Sequence, residues 1–410
     1  MKILVLTNLY PPHAVGGYEE RCRDVIEGLR ERGHEVRVLT STHGVNGEEK
    51  DGLVHRRLWI HGFYGHPWRS ILSLFQLERH NHKVLREEIA EFGPEVVHVW
   101  NMGGLSKALL LTLQESGLPV VYDVSDHWIA RSLRADVWLR WWNGDTGGAG
   151  ARLLRALLRG TGLASSIRKD APYARWEEIR FERIYFCSDF LRRITAKAGY
   201  AVEHGAVIYC GVETSQIAVR PEGDDFRKLL FAGRLSADKD PLTAIRAMGV
   251  LRSRGETTLQ LFIYGKGDAD YVAHLQAAAA ELGVADAVTF GAVTRAEMQT
   301  LFAAHDALIF TSAWGEPFAL TPLEAMAAGV PTICTLEGGS AELIRHEVNA
   351  LAFATGDAGD LAERILWLKA RPVERAKIAA EGKREVRARF GRGTMVDEIE
   401  AYLRGSVAHV

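Results

Sequence analysis

The chain has 410 residues, 47% hydrophobic and 25% charged, a composition that suits a soluble globular protein and a length that exceeds one ordinary core, so two domains are expected. A formal net charge of −2 argues against a general nucleic-acid binder, which usually carries a strong basic excess. Cys22, Cys187, Cys210 and Cys334 lie far apart with no C-x-x-C spacing, which speaks against a zinc site or a disulfide framework and for reduced thiols in a cytosolic protein.

The chain opens with MKILVLTNLYPP, one lysine and then a short apolar run that stops at Pro11. This run is too short for a secretory leader and reads as a buried first strand. No uninterrupted apolar run is long enough to span a bilayer. A glycine-containing loop follows KILVLTN, then YEERCRDVIEGLRERGHE reads as a helix ending near Gly33. VRVLTS, EVVHVWN and PVVYDVSD repeat the strand signal with helical patterns between them. Strands alternating with helices imply βαβ units and a parallel sheet, which places ligands at the carboxyl ends of its strands. The loops after Asn8, Val99 and Val124 are therefore where chemistry is expected.

Residues 131–183 break this rhythm. The segment is rich in arginine, holds Trp138, Trp141, Trp142 and Trp176, and contains the flexible GDTGGAG. Its ARLLRALLRG reads as a short basic amphipathic helix, a type that can lie on anionic membrane surfaces. The plainer reading is a helical excursion whose arginine stems cover the core and whose tryptophans pack inside.

The pattern restarts after about residue 205, with Gly205 to Glu213 as the expected linker. KLLFAGR, LQLFIYGKG, AVTFGAV, ALIFTSA and VPTICT read as the strands of a second doubly wound sheet, and a charged helical tail follows from Glu374. Two stretches of this half carry chemistry. In FAGRLSADKDP a strand runs into a glycine turn, with Arg234 and Lys239 five positions apart. Arginine grips phosphate oxygens bidentately and lysine adds a compact charge, so the pair suits a diphosphate. The alternative is a solvated loop in which Lys239 pairs with Asp238 or Asp240. In GEPFALTPLEAMAAGVP, Glu316 and Glu324 stand eight positions apart. Thr321, Pro322 and Glu324 read as N-cap, N1 and N3 of a helix, a capping box. Phe318, Ala319 and Leu320 lead into that helix, where backbone N–H groups and the helix dipole suit an anion. A phosphate flanked by two carboxylates points to a phosphate-linked polyol.

GRLSADKD followed by EPFALTPLEAMAAGVP resembles the retaining glycosyltransferases of family 4, with the E-x7-E motif at Glu316 and Glu324 and the basic pair at Arg234 and Lys239. The resemblance covers nearly the whole chain. PPHAVGGYEE is similar to the family's N-terminal glycine loop, VIYCGVE to the segment before its linker (with Cys210 where the family often has Asn), and EGGSAELI to its donor-side loop. It implies the GT-B architecture, α/β with two Rossmann-like doubly wound domains facing a cleft. Residues 1–208 would bind acceptor, residues 209–389 would bind nucleotide sugar, and a C-terminal helix over 390–410 would pack back on the first domain. It further implies a nucleotide-diphosphate sugar as donor, UDP-linked by default, with no cofactor and no metal.

In that scheme Arg234 and Lys239 neutralise the leaving diphosphate, the N–H groups near Phe318, Ala319 and Leu320 bind the distal phosphate, Glu324 holds the ribose and Glu316 contacts the donor sugar. Gly17, Gly233 and Gly265 would lie against the nucleotide. Gly16, lacking Cβ, would let backbone approach phosphate or acceptor closely. One departure concerns YDVSDHW, where Ser125 stands at the register of a histidine the family often carries. Either Ser125 replaces it or a shifted loop delivers His127. Asp126 and His127 are catalytic candidates, while the alternatives are that Asp126 caps the next helix and His127 packs on Trp128. His98 and Asn101, ending a strand, are acceptor-site candidates beside Ser125. The expected activity is transfer of a sugar to an acceptor hydroxyl, by a cytoplasmic enzyme with peripheral membrane contact through 131–183 as an option. Rival readings are a sugar-nucleotide epimerase on the same architecture and a non-catalytic sugar-nucleotide-binding protein. Sugar, base and acceptor are left open.

Overall fold

The computed structural model describes residues 1–13, 16–62, 70–215, 217–220 and 225–408. Ala14 and Val15 of the glycine-rich loop singled out above lie outside the described residues. The chain divides into two compact units, Met1–Ile208 with Val396–Val410, and Tyr209–Met395. No helix among the described residues is long and apolar enough to cross a membrane.

The first unit is built on strands β1 (Lys2–Leu6), β2 (Glu35–Ser41), β3 (Glu49–Asp51), β4 (Val54–Leu58), β5 (Val96–Val99), β6 (Val120–Val124), β7 (Arg183–Phe186) and β8 (Ala206–Val207). Among the described residues they form one sheet in the order β3-β4-β2-β1-β5-β6-β7-β8. Every pair is parallel except β3 with β4. The central strands read as unbroken apolar runs because helices cover both faces, and Ile3, Leu4, Val5 and Leu6 are fully buried. The strand order reverses between β1 and β5. There the loops after the two strands are tied together, Asn8 N–H donating to the Asn101 carbonyl at 2.8 Å and Asn8 Nδ2 to the Gly103 carbonyl at 2.7 Å.

β3, β4 and β7 escape the sequence pattern. β4 is VHRRL, and its Arg57 is balanced by Glu48, Glu87 and Glu88, each at 2.8 Å. Between β6 and β7 run the helices Val137–Asn143, Ala149–Gly160 and Leu163–Asp170. Trp138 and Trp142 are buried there, Trp142 stacked on Tyr173 with centroids 3.9 Å apart, while Trp141 and Trp176 are half-buried, so two of the four tryptophans pack inside as the plainer reading had it. The helix Arg392–Val407 contributes its residues from Val396 onward to this unit. It lies against the helix Gly17–Glu31 where Gly28 leaves room, since a Cβ there would come within 2.9 Å of Val396. Arg32–Asp397 at 2.5 Å, His34–Glu400 at 3.0 Å and Tyr402 O–H donating to the Ile184 carbonyl at 3.0 Å complete the contact.

The second unit carries β9 (Lys228–Ala232), β10 (Gln260–Tyr264), β11 (Val288–Gly291), β12 (Ala307–Phe310), β13 (Thr332–Cys334) and β14 (Leu351–Ala352). Among the described residues they form an all-parallel sheet in the order β11-β10-β9-β12-β13-β14. The five strands read from the sequence are present, and β14, only two residues long, is the addition. The order reverses between β9 and β12, so the loops that follow these strands emerge side by side. Ligands of open α/β sheets bind at such a point.

Candidate active site

The loop after β9 is Gly233 to Asp240. Gly233 N–H donates to the Tyr264 carbonyl at 3.0 Å and Leu235 N–H to the Lys266 carbonyl at 2.9 Å, which fixes it against the loop after β10. The approach is close enough that a Cβ on Gly265 would sit 1.8 Å from the Gly233 carbonyl oxygen. Asp240 adopts a left-handed conformation (φ 48°) and caps the helix Pro241–Ser253 by accepting from Thr243 N–H at 3.2 Å. That sharp end turns Asp238 and Lys239 toward the loop after β12. Ala313 and Trp314 N–H groups donate to the Asp238 carbonyl at 2.9 and 3.2 Å, and Thr311 Oγ1 donates to the Lys239 carbonyl at 2.9 Å.

The two loops therefore form one surface. On it the Lys239 ammonium donates to Glu316 Oε1, and Ser312 Oγ donates to the same oxygen at 2.8 Å. Lys239 and Glu316 are largely buried. Lys239 pairs with Glu316, not with the adjacent aspartates. Arg234 is instead the partner of Asp238, at 3.6 Å, and its side chain is 70% exposed. Glu316 is further held from behind by the loop after β13. Gly339 N–H donates to the Glu316 carbonyl at 2.7 Å, and Gly338 (φ 70°) forms a backbone bridge with Glu316. A Cβ on Gly338 would lie 2.4 Å from the Glu316 carbonyl oxygen.

The helix that follows is Leu320–Ala327, with Ala319 as N-cap. The expected capping box is not formed, because Thr321, Pro322 and Glu324 occupy N2, N3 and N5. Proline lacks only an N–H that the first turn leaves unsatisfied anyway, so it fits at N3 as well as at N1 and does not fix the start. Glu324 stands at N5, half-buried one turn along the helix. Phe318 and Ala319 are buried, the Phe318 ring packing on Tyr209 and Phe390 with centroids 5.4 and 5.8 Å away. Leu320 begins the helix.

In the first unit the residues after β6 gather around the helix Gly17–Glu31. Gly16 is its N-cap, and Glu19 accepts from Gly16 N–H at 2.9 Å. Tyr18 O–H donates to the Asp123 carbonyl at 2.8 Å and accepts from Ser125 N–H at 3.3 Å. Arg21 Nη1 donates to Asp123 Oδ2 at 2.6 Å and to Ser125 Oγ at 2.7 Å, and Ser125 Oγ donates to Asp123 Oδ1 at 2.9 Å. Ser125 is thus committed to its own unit. Asp126 Oδ1 accepts from Trp128 N–H at 2.7 Å and so caps the turn that follows. Burial pushes its carboxyl up to about 6 against that hydrogen bond, with Glu19 and Asp123 adding to the rise. His127 is buried beside it.

His98 is not an acceptor contact. It is fully buried, with Trp100 Nε1 at 3.1 Å from Nδ1 and the Tyr185 hydroxyl at 2.8 Å from Nε2. An indole N–H only donates, so Nδ1 is the acceptor and Nε2–H the donor of a neutral ring. Burial lowers its pKa to about 4. A polar residue near the end of a parallel strand is here held in the core by Trp100, just past its own strand, and by Tyr185 of β7, two strands away. Asn101 is nearly buried as well, its Oδ1 accepting from Gly103 N–H at 2.8 Å.

Arg21 and Asp123 were not singled out from the sequence, nor was Gly338. Arg21 shares a helical stripe with Val25, Gly28 and Leu29, and a charge among apolar positions is the signal that was available. Among the described residues no three His, Cys, Asp or Glu side chains are placed to hold a metal ion.

Two family models match, "Glycosyltransferase Family 4" over residues 15–216 and "Glycosyl transferases group 1" over residues 212–385. The chain belongs to the family 4 glycosyltransferases. This glycosyltransferase is 27% identical over 366 residues to the uncharacterized glycosyltransferase MJ1607 of Methanocaldococcus jannaschii, covering 86% of this chain and 84% of that protein. It is 33% identical over 184 residues to a D-inositol 3-phosphate glycosyltransferase of Stackebrandtia nassauensis, spanning 43% of this chain but only 41% of that enzyme. Its fold is similar to that of Anabaena Alr3699/HepE, solved in complex with UDP, with a TM-score of 0.70 at 20% identity over 99% of this chain and 100% of that one. The fold is accordingly GT-B, each unit being one of its two doubly wound α/β domains.

Proposed function

We propose that this glycosyltransferase takes its sugar from a UDP-sugar and delivers it to an acceptor hydroxyl with retention of anomeric configuration, without a bound metal. The observation that carries the reading is the meeting of Lys239 and Glu316 at the strand-order reversal of the second unit, where the loops after β9 and β12 form one surface. Breaking a glycosyl–phosphate bond builds positive charge at the anomeric carbon and negative charge on the leaving diphosphate. Lys239 and Arg234 supply fixed cations for that oxygen, and the first-turn amides after Phe318 and Ala319 supply N–H dipoles for the distal phosphate. In this reading Glu316, next to Lys239, contacts the donor sugar and Glu324 holds the ribose hydroxyls. The acceptor oxygen attacks from the face the diphosphate leaves, and its proton passes to the departing phosphate oxygen. Asp126 and His127 of the first unit serve the acceptor or the sugar in this scheme. The choice of uridine is supported by HepE, a protein of the same fold solved with UDP and with UDP-glucose.

A thermal-shift panel of UDP, GDP, ADP and TDP with their sugar conjugates tests the donor half, because a ligand that binds only the folded state raises Tm by mass action. A shift confined to uridine nucleotides is expected. A shift with none of them overturns the site. The anomeric configuration of the product, read by NMR, tests retention.

A further inference from the structure

The helix Ala149–Gly160 turns one face inward and one outward. Arg155 is buried, its Nη1 donating to the carbonyls of Trp141 at 2.8 Å and Thr146 at 3.2 Å, and Leu154 and Leu158 are half-buried on the same side. Leu153 and Leu157, one turn apart, point the other way and are 73% and 59% exposed. Leu163, at the start of the next helix, is 54% exposed. Single exposed leucines are ordinary, but two one turn apart on one helix face, with a third exposed six residues further along the chain, call for a partner.

Basic residues predominate in this segment. Residues 146–169 contain five Lys or Arg and no Asp or Glu, with Asp145 immediately before them and Glu177 and Glu178 near Arg168. Four of the five, Arg152, Arg159, Arg168 and Lys169, are exposed. The first carboxylate beyond them, Asp170, is compensated by Arg79 at 3.4 Å. A second copy of the chain docking on the same face would bring these cations against their own equivalents, since a two-fold interface pairs a patch with itself. Protruding apolar side chains among predominantly basic residues instead match a bilayer, whose acyl boundary takes the leucines and whose anionic headgroups take the charges.

We propose that residues 149–169 dock this glycosyltransferase on an anionic lipid bilayer through Leu153, Leu157 and Leu163, with Arg152, Arg159, Arg168 and Lys169 on the headgroups. The inference does not depend on the identity of the donor.

Co-sedimentation of the full chain with vesicles tests it, phosphatidylcholine alone against phosphatidylcholine mixed with phosphatidylglycerol. Binding is expected to the anionic vesicles, weakened by salt, and about tenfold or more weaker for neutral ones. Leu153→Glu/Leu157→Glu should lower partitioning by about tenfold or more, and Arg152→Glu/Arg168→Glu should do the same. Both pairs are exposed, and an unchanged Tm and unchanged nucleotide-induced shift would show that the fold and donor site are intact. No binding to anionic vesicles, or binding indifferent to both pairs, overturns the proposal. So does a dimer seen by light scattering that Leu153→Glu/Leu157→Glu disperses, because a second copy would then cover the patch.

Discussion

The ammonium of Lys239 and the carboxylate of Glu316 are ion-paired across 77 residues of chain, with Ser312 donating to the same carboxylate oxygen. On the proposed reading, the donor's phosphate competes with Glu316 for this cation. Removing either partner should therefore have opposite signatures. Glu316→Gln keeps a hydrogen-bonding side chain and liberates Lys239, so UDP affinity should stay within about threefold while donor turnover falls by about a hundredfold or more, the scale of a lost transition-state contact. Lys239→Ala should weaken UDP by about tenfold or more, since a charge-assisted hydrogen bond contributes roughly 1.5–3 kcal/mol. Titration calorimetry and a donor-hydrolysis assay separate the two, and normal turnover by Glu316→Gln would remove Glu316 from the mechanism.

Gly338 is the backstop of this site. Its φ of 70° is costly for a residue with a Cβ, and that Cβ would lie 2.4 and 2.5 Å from the backbone O and N of Glu316. Gly338→Ala must displace Glu316. We expect a loss of about 2 kcal/mol in urea denaturation and a fall in donor turnover larger than the fall in UDP affinity. Wild-type values for both would show that the loop after β13 has a second, unstrained arrangement.

Most strands were legible because buried parallel strands are continuous apolar runs, whereas the polar β3 and β4 carry no such run and the four-residue β7 and the two-residue β14 only a short one. The ends of β9 and β12 were legible because glycine and proline punctuate them. The pairing of Lys239 with Glu316 was not, since local sequence offers Asp238 and Asp240 as nearer partners. Only the adjacency of β9 and β12 brings Glu316 closer. The capping box at Thr321 failed for the opposite reason. T-x-x-E with an intervening proline satisfies every local rule, yet the helix starts at Leu320 because an orphan amide position accepts proline anywhere in the first turn. His98 was misplaced because a strand's carboxyl end suggests a site, whereas its ring is consumed by Trp100 and Tyr185 in the core.

Arg21 and Asp123 form a buried ion pair, 3% and 0% exposed. Arg21 also packs its guanidinium over Trp100, 5.1 Å from the ring centroid, and reaches Ser125. Arg21→Met would leave the Asp123 charge buried without its cation, a change that costs about 3–5 kcal/mol. Arg21→Met combined with Asp123→Asn should recover much of that loss, because no net charge is then left in the core. Chemical denaturation of the single and double variants checks it, and simple additivity would mean that the pair is not the coupled element the geometry shows.

Asp126 gives a pH signature of its own. Its folded pKa, pushed up to about 6 by burial, stands above the ordinary value of about 3.9. The folded state then holds the proton more tightly than the unfolded chain. Stability is unaffected below about pH 4, falls as pH rises through the window from about 4 to about 6, and carries the full penalty above it. That penalty is on the order of 2–3 kcal/mol. Asp126→Asn retains an oxygen for Trp128 N–H and has no charge to bury. The variant should match wild type at about pH 4 and exceed it increasingly up to about pH 6, with the gap constant thereafter. A gap that does not change with pH would show that Asp126 ionises at its ordinary value, and the burial argument for its shift would fall.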